Sequence, residues 1–178
     1  MSRWRPGDRR PDPASMLRVN QAGEYGATRI YAGQLAVLRA NSPTSKLIAR
    51  MDGQERRHLQ RFNALMAERR VRPTILQPVW SVAGFALGAA TALMSEKAAM
   101  ACTDAVETEI DRHYGSQLDE LGDSDPEFAA HIEEFRAEEV EHRDAAREAG
   151  AADAFGYPLL TAAVRAACRL AIGASKRI

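Results

Sequence analysis

Two of the four histidines in this chain stand three residues after a glutamate: Glu55-Arg56-Arg57-His58 and Glu139-Val140-Glu141-His142. On a helix, side chains three residues apart share a face. Each motif therefore offers one carboxylate and one imidazole to the same point. Two such motifs, joined by a single glutamate from each of two further helices, form the donor set of di-iron carboxylate bundles. Iron accepts imidazole and carboxylate together, as does manganese. A carboxylate can also bridge two cations and offset their charge. Glu24 and Glu107 are the glutamates that would complete the set.

Four helices must position these groups, and the apolar periodicity predicts them. Leu17, Gln21, Glu24, Thr28, Tyr31, Leu35 and Leu38 form a stripe along a first helix, from Met16 to Ala40. Leu47, Met51, Glu55, His58, Phe62 and Leu65 do so from about Thr44 to Arg70. Met100, Thr103, Glu107, Ile110, Tyr114 and Leu118 follow from Glu96 to Leu121, and Phe128, Ile132, Phe135, Glu139, His142 and Ala146 from Pro126 to Ala149. A carboxylate on an apolar stripe is costly unless it is paired or metal-bound. Glu24 and Glu55 are 31 residues apart, Glu107 and Glu139 are 32. The chain thus reads as two copies of a helical hairpin, each giving one Glu and one Glu-x-x-His. Asp52, Asp104 and Asp144 are near enough in sequence to orient the imidazoles, although surface ion pairing is the commoner role for such residues. His131 reads as a surface residue. His113 lies off the stripe beside Tyr114.

The remaining sequence sets limits. A chain of 178 residues is one domain's length. Twenty-four basic residues balance 24 acidic ones, so no nucleic-acid-binding surface is indicated. Cys102 and Cys168 form no CxxC, which excludes a zinc ribbon or a disulfide scaffold. No strand pattern appears, and the fold class is all-α. Residues 1–14 read as a flexible arm, without the apolar core of a secretory signal; residues 15–178 form the domain. Within it, segment 73–95 carries no charge and is long enough to span a bilayer. Its two prolines, Gln77 and two glycines keep it only modestly hydrophobic, which favours a helix at the membrane interface or buried in the fold. Residues 157–175 alternate Leu159, Leu160, Val164, Leu170 and Ile172 with Arg165 and Arg169, flanked by Lys176 and Arg177. This is an amphipathic basic helix that suits an interface or the flank of a bundle.

Arg18-Val19-Asn20-Gln21-Ala22-Gly23-Glu24-Tyr25-Gly26-Ala27, then Arg29-Ile30-Tyr31-Ala32-Gly33-Gln34, resembles the opening helix of the demethoxyubiquinone hydroxylases. Arg72-Pro73-Thr74, Gly84-Phe85-Ala86-Leu87-Gly88, Ala101-Cys102-Thr103, Ala105-Val106-Glu107, His113-Tyr114 and Glu138-Glu139-Val140-Glu141-His142 extend the likeness across residues 16–178. The resemblance implies a ferritin-like four-helix bundle of two hairpins with two membrane-interface helices. It implies a monooxygenase of ubiquinone biosynthesis that hydroxylates the ring of demethoxyubiquinol with O2. Two Fe ions would be held by Glu24, Glu55, His58, Glu107, Glu139 and His142, and NADH would be the reductant. Tyr114 and His113 are candidates for electron or proton transfer. No Gly-x-Gly-x-x-Gly follows a strand, so NADH would lack the usual dinucleotide fold.

The resemblance also implies peripheral attachment to the cytoplasmic face of a bacterial inner membrane, or to the matrix side of the mitochondrial inner membrane in a eukaryote. A lipid-binding accessory protein and a homo-oligomer are further expectations. Two other readings remain at this level: a ferritin-like ferroxidase or iron store with the same six donors, and a non-catalytic membrane adaptor whose carboxylates form core ion pairs.

Overall fold

The turn chemistry of the sequence sets where each helix starts. In the computed structural model, which describes residues 11–176, four helices open with an Asp or Ser side chain accepting the amide three residues on. These caps are Asp12, Ser42, Ser95 and Asp125, and a proline follows all but Ser95. Each such cap stabilises its helix by about 1 kcal/mol. The described residues hold six α-helices: α1 (Pro13–Val37), α2 (Pro43–Arg69), α3 (Gln77–Met94), α4 (Glu96–Leu121), α5 (Pro126–Glu148) and α6 (Tyr157–Ser175). A single 3-10 turn, Ala151–Asp153, precedes α6. No strand occurs among the described residues, and the arrangement is consistent with a ferritin-like helical bundle.

The helices fall close to their expected limits. α1 starts three residues before the expected Met16, because Asp12 and Pro13 together form a start signal. It ends at Val37, where Leu38 turns extended. Of the expected arm, residues 1–10 lie outside the described residues, as does Arg177 of the basic tail.

α1 and α2 form one hairpin, α4 and α5 the other. α3 then folds back along α1, and α6 folds back along α4. The repeat is therefore larger than the hairpin: each copy is a hairpin followed by an apolar helix packed on its own first member. The α1–α3 crossing is close enough to require glycine. A Cβ on Gly88 would lie 1.9 Å from the Ile30 carbonyl oxygen, and one on Gly33 would lie 2.1 Å from that of Phe85. One face of α3 is buried by this crossing. The other leaves Val79, Val82, Leu93 and Met94 exposed. Among the described residues no helix is long and apolar enough to cross a membrane.

Two apolar layers close the bundle at either end. Leu17, Phe62, Leu65, Phe128 and Ile132 fill one, and Ile48, Met51, Met100 and Ala146 fill the other. Every central helix passes from one layer to the other, and the acidic residues lie between the two.

Candidate metal centre

α1, α2, α4 and α5 each turn their stripe inward, and the six expected residues meet at one level. Glu24, Glu55, His58, Glu107, Glu139 and His142 are all buried. His58 Nδ1 lies 3.2 Å from Glu139 Oε1 and 3.6 Å from Glu24 Oε2. His142 Nδ1 lies 3.1 Å from Glu55 Oε1 and 3.3 Å from Glu139 Oε2. Two overlapping clusters result, and each could hold a metal ion. One is Glu24, Glu55, His58 and Glu139, and the other is Glu55, Glu107, Glu139 and His142. Glu55 and Glu139 belong to both.

Each of the six presents at least one buried polar atom with no hydrogen-bond partner. For the histidines that atom is Nδ1, and for Glu55 and Glu139 it is both carboxylate oxygens. Native interiors rarely leave such atoms unpaired. Eight together, aimed at one small volume, match a site for cations.

The electrostatics agree. Burial pushes Glu55 and Glu107 well above the usual carboxylate range, and the facing charge of Glu139 adds to it. Burial, then the charge of Glu24, lifts Glu139 to about 7 against the pull of His58. Burial also opposes ionisation of Glu24, but contacts with His58, Glu55 and Tyr114 outweigh it and hold this group below its usual range. Burial disfavours a charged His58, yet Glu139 and Glu24 raise it to about 10. Burial alone leads for His142 and lowers it, although Glu107 pulls the other way. Four carboxylates in a dry volume resist joint ionisation, and cations among them invert that logic.

Two tyrosines flank the centre. Tyr114 on α4 donates to Glu24 on α1, and Tyr31 on α1 donates to Glu107 on α4 at 2.5 Å. Tyr114 was expected near the centre. Tyr31 lies on the apolar stripe as ordinary core would; the signal for it is that Glu24 to Tyr31 and Glu107 to Tyr114 both span seven residues. His113 has no contact with the six. It bonds Gln117, which bonds Asn20, and burial followed by Lys176 and Arg112 lowers its pKa to about 4. His131 is half-buried at the surface of α5, where it accepts from Arg61 and stacks on Phe135.

The three aspartates considered as imidazole partners are engaged elsewhere. Asp52 pairs with Arg56, Asp144 with Arg143, and Asp104 with Arg147 and Tyr157. The outer nitrogens meet other groups. His58 Nε2 is 3.3 Å from Glu138 Oε2, and His142 Nε2 is 3.1 Å from Gln54 Oε1.

On the side away from α2 and α5, a cavity of about 280 Å³ opens between α1, α3, α4 and α6. Gly23 and Ala27 of α1, Leu87 of α3, Val106 of α4 and Ala171 of α6 are among the residues that line it. Gly23 and Val106 are the chain neighbours of Glu24 and Glu107. The cavity therefore backs onto the acidic centre.

The fold and site define an all-helical bundle whose two fused Glu/His clusters could hold metal ions, with an apolar cavity beside them. The chain belongs to the family described as Ubiquinone biosynthesis protein COQ7, whose model matches residues 12–175. It is 52% identical over 177 residues to the 3-demethoxyubiquinol 3-hydroxylase of Rhodospirillum rubrum, covering 97% of this chain and 82% of the relative. It is 48% identical over 167 residues to the mitochondrial NADPH-dependent 3-demethoxyubiquinone 3-hydroxylase of Homo sapiens, covering 92% and 76%. The mitochondrial 5-demethoxyubiquinone hydroxylase of Saccharomyces cerevisiae is 41% identical over 179 residues, covering 92% and 77%. The human relative is named for NADPH rather than the NADH expected from the resemblance.

Proposed function

We propose that this chain is a di-iron monooxygenase that hydroxylates the ring of demethoxyubiquinol. The observation that carries this reading is the pair of clusters sharing Glu55 and Glu139. Glu24 and His58 would hold one iron, Glu107 and His142 the other, and Glu55 and Glu139 would bridge them. The unpartnered atoms of these six residues supply the donors such a pair needs. Iron bound there supplies the activation of O2. One oxygen atom enters a ring C–H bond, and the other leaves as water with two electrons and a proton from a reduced nicotinamide and one proton from solvent.

The chain's own residues define the rest. The cavity lined by Gly23, Ala27, Leu87 and Val106 takes the quinol ring and excludes water. Tyr114 and Tyr31 fix the terminal glutamates through hydroxyls that burial, then the glutamate charges, keep protonated. Tyr114 lies where a proton or electron could pass to the centre, and His113, beside it in the chain, stays neutral. The exposed apolar residues of α3, with Leu159 and Leu170 of α6, lie at a membrane surface and admit the insoluble tail.

An iron-storing ferroxidase has no use for the cavity. An adaptor with core ion pairs would have no need of two clusters that share Glu55 and Glu139. The deciding experiment is turnover of iron-loaded protein in detergent with demethoxyubiquinone, NADPH or NADH, and isotope-labelled O2. Mass spectrometry should find one labelled oxygen in the quinone. Bound iron without labelled product would overturn the assignment.

A further inference from the structure

The two copies of the repeat differ at the residues that meet the outer nitrogens of the two histidines. Gln54 precedes Glu55 on α2, and Glu138 precedes Glu139 on α5. The two side chains occupy equivalent places. Each reaches across to the outer nitrogen of the other copy's histidine: Glu138 Oε2 to His58 Nε2 at 3.3 Å, and Gln54 Oε1 to His142 Nε2 at 3.1 Å. Both Nδ1 atoms point inward, so both Nε2 atoms carry the hydrogen and donate it outward. Gln54 Nε2 also donates to Glu138 Oε2 at 2.9 Å, and Arg57 Nη2 does so at 3.2 Å. One amide and one carboxylate thus link the two imidazoles in a single hydrogen-bonded chain, His142 to Gln54 to Glu138 to His58.

We propose that this exchange of glutamine for glutamate makes the two metal positions unequal, with the His58 position the tighter. A carboxylate accepting the outer N–H of a ligand imidazole makes the inner nitrogen a stronger donor. A neutral amide fixes the ring's orientation equally well but transfers less charge. His58 has the carboxylate and His142 the amide. Glu138 and Gln54 are positioning residues, since they act through the histidines. The inference rests on the metal reading above, and it adds an order of filling.

The test is anaerobic titration of metal-free protein with ⁵⁷Fe(II), followed by calorimetry and Mössbauer spectroscopy. At one equivalent per chain, the wild type should show one dominant quadrupole doublet, and the second equivalent should bring in a second doublet. Glu138→Gln should give both doublets together at one equivalent, with first-step affinity lowered about tenfold, the lower end of the effect for such partners. Gln54→Glu, which leaves Glu138 in place, should tighten the second step. The exchanged double variant, Gln54→Glu with Glu138→Gln, should restore stepwise filling. A merely structural role for Glu138 would change thermal stability and leave the one-equivalent spectrum as it is in the wild type. That result overturns the inference while leaving the metal reading intact, as would equal doublets in the wild type. A wild type that binds no iron overturns both.

Discussion

The Tyr114 hydroxyl hydrogen-bonds Glu24 across the centre of the bundle, from the second hairpin to the first. Tyr31 returns the bond to Glu107. Each tyrosine sits seven residues beyond its own copy's glutamate yet serves the other's. These crossed bonds tie α1 to α4, alongside the buried bonds from Asn20 to Gln117 and from Gln34 to the Ala99 carbonyl.

Tyr114→Phe leaves a buried carboxylate oxygen without its donor. A hydrogen bond to a charged group contributes about 2 kcal/mol, so the metal-free variant should unfold roughly 4–8 °C lower. Tyr31→Phe should be milder, roughly 2–4 °C, because burial and Glu139 push its partner Glu107 toward the uncharged form. Scanning calorimetry of both checks this, and an unchanged midpoint would mean the hydroxyls bear no load in the fold.

Metal-free protein should lose stability as pH rises from 7 to 10. His58 is raised to about 10 from 6.5, the pull of Glu139 and Glu24 overcoming burial. A base with a raised folded pKa contributes stability that is full below 6.5 and lost on the way to 10. Burial and mutual repulsion also raise Glu55 and Glu107, and a raised carboxylate is likewise a cost once the unfolded form ionises. The opposing groups, Glu24 and His142, are lowered, and their contributions are already complete above pH 7. Bound metal should flatten or reverse the slope, because cations compete with protons for the same atoms. Denaturant titrations at three pH values, with and without Fe(II), read the sign directly.

Gly23→Leu should separate binding of substrate from binding of metal. A side chain added at Gly23 meets nothing within 4 Å at its Cβ, and it points into the cavity. The variant should keep the wild-type iron content and fold. Its kcat/KM for the quinone should fall about 10–200-fold, the range for intruding methylenes in an apolar pocket. Full activity would move the substrate elsewhere.

Val82→Asp with Leu170→Asp should weaken attachment to lipid vesicles without destabilising the fold. Both residues are largely exposed, at 72% and 75%, so little packing is lost. Withdrawing two such side chains from lipid should lower partitioning by at least about tenfold, since each contributes roughly 1.5 kcal/mol or more. Co-sedimentation with phospholipid vesicles measures it, and undiminished binding would reject this face as the contact.

Periodicity made the inward residues legible. A stripe defines which side chain faces the axis, and Glu24, Glu55, His58, Glu107, Glu139 and His142 all lie on stripes. It could not reveal what stands behind an imidazole, because that depends on how α2 and α5 face each other. Nearby aspartates looked suitable, while the partners in space are Glu138 and Gln54, each one residue before a motif glutamate. Tyr31 was hidden for another reason. A tyrosine on an apolar stripe is ordinary core, and only its match with Tyr114 across the repeat marks it as more. The path of α3 was equally open: an uncharged segment fits lipid or core, and the choice turns on glycines that let it press against α1.

That contact has a mechanical consequence. With the α1 backbone at Gly33 against Phe85 and the α3 backbone at Gly88 against Ile30, α1 and α3 cannot slide or rock independently and behave as one beam. Glu24 is fixed to one member of it, and the outward side chains of α3 to the other. The beam is a gauge: whatever surface α3 rests on, the acidic centre stands at a set height above it. A molecule lying in such a surface would present to the centre only the atoms that reach that height.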